Sequence, residues 1–359
     1  MLKKIDAYII KKFLGTFVFI LALLMTIAVV FDISEKMDDF LDTRPPLSEI
    51  IFKYYLNFVI HYGNLFTSLI IFIALIWFTS KMAQRTEIIA ILSSGVSFAR
   101  LLRPFFIAAT IMVVISLVAM HFLVPYANKV KEQFEQQYIY GPFEIREKDH
   151  NAEIRPGEIA YFRSINYQDN WGSKFSIGHW EDGKLTKKLF ANYARFDSST
   201  TRWKLENYYI RSFEYGKETL VHGSKLDTVL DIRFSDFGVR KNFVYTMTTA
   251  ELKDFIEVET LKGSDKIPKY EIEIHQRTSY PVATYILTLI GVSVAGRKVR
   301  GGMGLNIVLG LLIAILYIFA MKIMTVSATN AGVNPFIAVW TPNALFALIA
   351  VYLYIKAPK

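Results

Sequence analysis

No cysteine occurs in the 359 residues, which excludes a disulfide framework, a thiolate zinc site and a cysteine nucleophile. Charge is also scarce: 20% of residues are charged against 53% hydrophobic. The scarcity is concentrated in six stretches, 13–31, 55–78, 105–124, 280–295, 305–326 and 336–355, that are nearly free of charge. At about 1.5 Å per helical residue, some 20 apolar residues cross a hydrocarbon core of about 30 Å. These runs exclude a soluble globular enzyme. The fourth is short and is expected to borrow length from its flanks. The first follows Lys3, Lys4, Lys11 and Lys12 as in a signal peptide. Its apolar run exceeds an h-region of about 7–15 residues and no small-residue cleavage site follows, so a retained span is expected.

The formal charge of +9 is a topology signal rather than a nucleic-acid footprint. One set of short flanks carries Lys3, Lys4, Lys11, Lys12, Lys81, Arg85, Arg100, Arg103, Arg297, Lys298, Arg300, Lys356 and Lys359 against only Asp6 and Glu87. The opposite side has an acidic first loop with Asp32, Glu35, Asp38, Asp39, Asp42 and Glu49, and an uncharged last loop, 327–335. The positive-inside rule then predicts both termini in the cytoplasm and residues 125–279 outside.

That segment holds 24 basic and 24 acidic residues and reads as a separate domain. Residues 128–138 are expected to continue the third span as a helix. Runs at 158–167, 174–180, 185–196, 202–213, 218–222 and 228–234 read as strands, with turns at Asp182-Gly183 and Tyr215-Gly216. Trp203, Leu205, Asn207 and Tyr209 alternate with Lys204, Glu206 and Tyr208, the period of a half-buried strand. Short, evenly spaced strands predict an antiparallel sandwich or jelly roll. Thr248 and Glu251 fit a capping box opening a helix through about Leu261, and 262–269, with Gly263 and Pro268, reads as a linker. The plan is residues 1–124 with three spans, 125–279 as the external domain, and 280–359 with three more spans.

In the loop 81–103, Ile88, Ile91 and Leu92 recur at helical spacing and Gly95 is a natural terminator. A short amphipathic helix, about 81–95, is expected. Periodicity leaves open whether it lies on lipid or docks a cytoplasmic partner.

Arg85-Thr86-Glu87-Ile88 followed by Ser93-Ser94-Gly95 resembles the coupling-helix motif of the LptF/LptG lipopolysaccharide-export permeases. Ile5-Asp6-x-Tyr8-Ile9, Pro125 with Asn128, and Glu273-x-His275-x-Arg277-x-x-x-Pro281 extend the resemblance over nearly the whole chain, slightly toward the LptG-like members. It implies an α-helical membrane protein of six transmembrane helices with an inserted antiparallel β-jellyroll periplasmic domain. It also implies a multi-pass inner-membrane location, an LptB-type ATPase dimer as partner, a second permease chain and LptC/LptA-like jellyroll proteins. Lipopolysaccharide would be the cargo, and ATP with Mg would sit on the ATPase, no cofactor being bound by this chain. Arg85, Glu87, Ile88, Ile91, Leu92 and Gly95 would form the ATPase-coupling helix. The alternatives are a membrane-anchored tethering protein, or a permease for another lipid or a lipoprotein.

Further candidates are read from residue type. Lys322 is the single formal charge inside a span; it either snorkels to the nearby external interface or meets lipid phosphate. Asn57, His61, Asn64 and Ser68 share one face of the second span, facing other helices or a substrate cavity. Lys36 and Arg44 are the cations offered to lipid in the acidic first loop, where family members often present lysine. His61 and His121 make a weak metal pair. The run 291–298 mimics a P-loop without its Lys-[Ser/Thr] ending, and Gly291 and Ala295 read better as a close helix approach. No catalytic residue and no metal site is assigned.

Overall fold

The structure is a computed structural model that describes residues 4–140, 149–166, 170–181, 183–197, 200–214, 217–232, 234, 243–261, 264, 266–296 and 302–357. It divides into two compact units. One, Met1–Phe134 with Val244–Lys253 and Pro268–Lys359, is helical; the other, Glu135–Phe243 with Asp254–Ile267, carries the sheet.

The helices are α1 (Lys4–Glu35), α2 (Met37–Thr43), α3 (Leu47–Glu49), α4 (Leu56–Leu65), α5 (Thr67–Gln84), α6 (Glu87–Ser93), α7 (Phe98–Val118), α8 (Val124–Tyr138), α9 (Thr249–Leu261), α10 (Ile267–Ala295), α11 (Gly302–Asn330) and α12 (Pro335–Ile355). Among the described residues, six helical stretches are long and apolar enough to cross a membrane. The short fourth span does extend through its flank, as α10 begins at Ile267, inside the linker read from the sequence. The second span is not one helix. A π-helical segment, Ile50–Tyr55, runs into α4, and the chain kinks at Phe66 before α5. The helix expected after the third span is α8, joined to α7 through a second π-helical segment, Ala119–Leu123.

Helix α5 sits between two apolar clusters, which explains why it is hydrophobic on all sides. Leu75 and Phe78 pack with Ile9, Phe13 and Phe105, while Phe72 and Ile76 pack with Leu287, Ile290 and Phe346. Gly291 and Gly310 permit the approach of α10 and α11: a Cβ at each would lie 2.2 Å from Leu75 Cδ2 and 2.1 Å from Ile76 Cδ1. Gly291→Val is therefore expected to cost about 1–3 kcal/mol through overpacking, read as a lower thermal midpoint in detergent. An unchanged midpoint would refute the close-packing reading.

Several polar side chains inside the bundle bond across helices, as a hydrocarbon surrounding favours, while the Thr79, Thr288 and Ser293 hydroxyls are buried without a partner among the described residues. Ser68 Oγ donates to Tyr280 O at 2.6 Å, Asn306 Nδ2 to Ser80 Oγ at 3.2 Å, and Tyr317 O–H to Asn343 Oδ1 at 2.9 Å.

The β unit has strands β1 (His150–Arg155), β2 (Glu158–Phe162), β3 (Ser164–Asn166), β4 (Trp171–Glu181), β5 (Lys184–Asp197), β6 (Arg202–Glu214) and β7 (Lys217–Thr228). They form one antiparallel sheet in the order β1-β2-β4-β5-β6-β7, with β3 on β4, and the sheet does not close into a barrel. The inserted antiparallel domain is thus present. Its core holds Phe162, Phe175, Ile177, Leu189 and Trp203.

Three details differ from the sequence reading. Strand β1, with Glu153 and Arg155 among its six residues, lacks the apolar alternation that would have marked it. The strand expected at 228–234 is absent among the described residues: β7 ends at Thr228, and Ile232 and Phe234 enter the core without joining the ladder. The alternation assumed through β6 breaks at Asn207, which takes φ +50°; Trp203 and Leu205 are buried, but Asn207 and Tyr209 are exposed while Tyr208 and Ile210 pack toward the core. The Asp182-Gly183 turn is described only at Gly183, with φ +74°, and Tyr215-Gly216 and Gly263 lie outside the described residues. The capping box is formed: Thr248 N–H donates to Glu251 Oε2 at 2.7 Å, and Glu251 N–H to Thr248 Oγ1 at 3.4 Å.

Candidate functional site

The loop between α5 and α7 is tightly built. Arg85 ends α5, Thr86 turns the chain with φ 61°, and α6 follows for seven residues. Gly95, at φ 84°, ends the loop in a conformation that favours glycine. Ser97 then caps α7, its Oγ accepting from Arg100 N–H at 3.3 Å.

Helix α6 has two faces. Ile88 is buried, and Ile91 and Leu92 pack beside it on the cluster that holds Ile9 and Phe98. These three anchor the helix to the bundle. Arg85, Ile89, Ala90, Ser93 and Gly95 are exposed, and Glu87 stands at the edge, with Tyr8 O–H 3.5 Å from its Oε2. Ile89 was missed in the sequence because it falls out of phase with the inward triplet; an exposed isoleucine on so short a helix is the signal.

At the opposite ends of the spans the candidates separate. Asn57 is buried and donates to Phe52 O and Lys53 O at 3.1 and 2.8 Å, satisfying carbonyls of the wide π turn. Ser68 bonds across to α10. His61 and Asn64 lie on neighbouring turns of α4, and among the described residues His61 Nδ1 and Asn64 Nδ2 are buried without a hydrogen-bond partner. His121 Nδ1 is 2.7 Å from Thr249 Oγ1. Lys36 lies over the Tyr54 ring at 5.9 Å, and Arg44 is exposed at the left-handed end of α2. Lys322 is exposed on α11, which continues to Asn330, so it sits roughly two turns from the helix end.

The acidic first loop has local reasons for its charge. Asp38 and Asp39 fall in the first turn of α2, where negative charge suits the helix dipole. Asp32 Oδ1 accepts from Tyr54 O–H at 3.2 Å, and Glu49 pairs with Lys53 at 2.9 Å.

The family model for the lipopolysaccharide export system permease LptF/LptG matches residues 7–356. The chain belongs to the LptF/LptG family. No individual curated protein matches it. The family description covers LptF-type and LptG-type chains alike, and the match takes in the six long apolar helices, the loop between α5 and α7 and the inserted sheet.

Two polar nodes in this LptF/LptG chain were not assigned as sites from sequence. Near the loop, Asp6 of α1, buried, makes a bidentate pair with Arg100 of α7 at 2.9 and 2.6 Å. Together with Tyr8 at Glu87, it ties α1 to both sides of α6. The second node is on α10. Arg277, 1% exposed, donates to Glu273 Oε1 at 3.1 Å, Thr249 Oγ1 at 3.1 Å and Val244 O at 3.3 Å. Asn128 Nδ2 adds a bond to Tyr245 O at 3.0 Å. Here the return segment from Val244 to Thr249 is pinned between α8 and α10. The Glu273–Arg277 spacing of four residues was visible, but its partners across about 30 positions in the chain were not.

Proposed function

We propose that this chain is a transmembrane permease subunit of an ABC transporter that lifts lipopolysaccharide from the outer leaflet of the inner membrane. The observation that carries the reading is the family match over residues 7–356. Helix α6 is the docking element for a separate ATPase dimer, which binds and hydrolyses ATP with Mg. Its inward triplet Ile88, Ile91 and Leu92 fastens it to α1 and α5, so that displacement of its outer face by the ATPase is passed to the spans. The basic flanks support a cytoplasmic position for this loop and both termini. The sheet then faces the periplasm and hands lipid to LptC/LptA-like proteins, and a second permease chain covers the apolar outer faces of α1 and α11, where Phe19, Phe31, Leu312 and Phe319 are exposed.

Affinity purification of the tagged chain from a native membrane tests this. It is expected to bring down an ATPase subunit, a second permease chain and lipopolysaccharide, identified by mass spectrometry. Recovery without any ATPase would overturn the reading and favour a membrane-anchored tether; recovery of the ATPase with another lipid or a lipoprotein would replace the cargo. Lys322, exposed on α11, is read as a contact for lipid phosphate. Lys322→Met is expected to lower lipopolysaccharide extraction from proteoliposomes severalfold; unchanged extraction and unchanged lipid crosslinking would refute that role.

A further inference from the structure

The solvent face of the sheet is interrupted by a crease. In a regular strand successive side chains alternate between faces, yet β4, β5 and β6 each send two consecutive residues outward: Ser173 and Lys174, Asn192 and Tyr193, Glu206 and Asn207. The buried positions flanking each pair are Gly172 and Phe175, Ala191 and Ala194, and Leu205 with the half-buried Tyr208. The register shows that the three breaks are one feature. Ser173 pairs with Tyr193 and Phe175 with Ala191, leaving Lys174 opposite Asn192; Tyr193 pairs with Glu206 and Ala191 with Tyr208, leaving Asn192 opposite Asn207. A row of unpaired positions therefore crosses three strands.

Lys174 and Asn207 in that row adopt φ of +49° and +50°. Asparagine enters this region readily, whereas lysine does so against its Cβ. Strain of this kind persists where surrounding structure enforces it and clusters at ligand-binding positions. Beside Lys174 lies a depression of about 430 Å³ lined by Arg163, Ser164, Ser173, Lys174, Asn192 and Tyr193. The Tyr193 ring is half exposed, with the Trp171 ring 5.8 Å away.

Arg163 and Lys174 are the two cations that line the depression. Arg155, Arg202, Lys204 and Arg211 are each paired with a carboxylate, Asp231, Asp227, Asp197 and Glu218. Like Lys187, Lys188 and Arg195 elsewhere on the sheet, Arg163 and Lys174 have no ion-pair partner among the described residues. Two unneutralised cations call for an anion. The Ser164, Ser173 and Asn192 side chains supply hydroxyl and amide groups for a polyhydroxylated ligand, and Tyr193 offers a rigid face with a polar tip.

We propose that this crease binds an anionic saccharide, a sugar carrying a phosphate or carboxylate. Arg163 and Lys174 hold the anion; Tyr193, Asn192 and the two serines hold the sugar ring. That the saccharide belongs to the transported lipid rests on the proposed function, but binding of a soluble probe to the purified chain does not.

Calorimetric titration of the full chain in detergent, with N-acetylglucosamine 1-phosphate, N-acetylglucosamine and inorganic phosphate as probes, tests it. The sugar phosphate is expected to bind saturably and at least roughly tenfold more tightly than either the neutral sugar or phosphate alone. Arg163→Gln and Lys174→Gly are each expected to weaken it about tenfold, the loss of one charge-assisted contact. Because glycine relieves the left-handed backbone, Lys174→Gly should keep or raise the thermal midpoint, which separates lost binding from lost folding. Tyr193→Ala should bring the sugar phosphate down to the affinity of phosphate. No saturable binding, equal binding of phosphate and sugar phosphate by the native chain, or full affinity in both cation variants would overturn the proposal. Failure of the titration in a chain that still recovers its ATPase and lipopolysaccharide would sink the crease alone and leave the permease reading standing.

Discussion

Replacing Glu87 with lysine is expected to abolish association with an ATPase subunit while leaving the chain inserted and folded. Glu87 opens α6 at the edge of its exposed face, and among the described residues a 3.5 Å approach from Tyr8 O–H is its one hydrogen-bond contact. Reversing its charge removes a favourable interaction with the helix N-terminus, a loss of about 0.3–1 kcal/mol for folding. In the proposed ATPase interface, where Glu87 would face a cationic group, the same change would place like charges together, at about 2–5 kcal/mol or more. At 1.4 kcal/mol per tenfold, association falls by roughly thirty- to several-thousandfold. Co-purification and lipid transport are the measurements, with the thermal midpoint as the folding control. Glu87→Lys that keeps both would refute the docking role of α6. Ile88→Ser makes a useful contrast, since it should loosen α6 from the bundle and lower stability as well.

The largest loss of stability is expected from Arg277→Met. The guanidinium is buried, and methionine removes its bonds to Glu273, Thr249 and Val244 in one step. It also leaves the Glu273 carboxylate in the bundle without its cation. Breaking a buried pair by deleting one partner costs about 3–5 kcal/mol, whereas replacing both partners by neutral groups is often close to neutral. Arg277→Met should therefore lower the thermal midpoint sharply, and Arg277→Met with Glu273→Gln should recover much of the difference. A single variant as stable as the native chain would show that the node contributes little. The Thr249 hydroxyl, shared between Arg277 and His121 Nδ1, is the link through which the segment Val244–Thr249 should loosen first. Hydrogen exchange of its amides would report that loosening.

The two sites were unequally legible in the sequence. The loop between α5 and α7 is local: Glu87, Gly95 and the spacing of Ile88, Ile91 and Leu92 lie within ten residues, so helix periodicity and a terminating glycine could be read directly. Which face points outward was not readable, because the inward packing depends on Ile9 and Phe98 from other helices. Asn57 shows the same limit from the other side. Helical spacing grouped it with His61, Asn64 and Ser68, but the π turn at Ile50–Tyr55 gives it backbone partners of its own. The crease was hidden altogether, since Trp203, Leu205, Asn207 and Tyr209 follow the ordinary strand period and only the left-handed backbone at Asn207 reverses it.

By itself the sequence determined the number of spans, the inserted antiparallel domain and the asymmetry of basic charge, because transfer of apolar and charged groups into hydrocarbon acts residue by residue and sums along the chain. Only the tertiary structure decided which polar groups meet: Asp6 with Arg100, and Arg277 with Thr249 and Val244. Hydrogen bonds and ion pairs act over about 3 Å, and nothing in local periodicity records which distant residues will come that close.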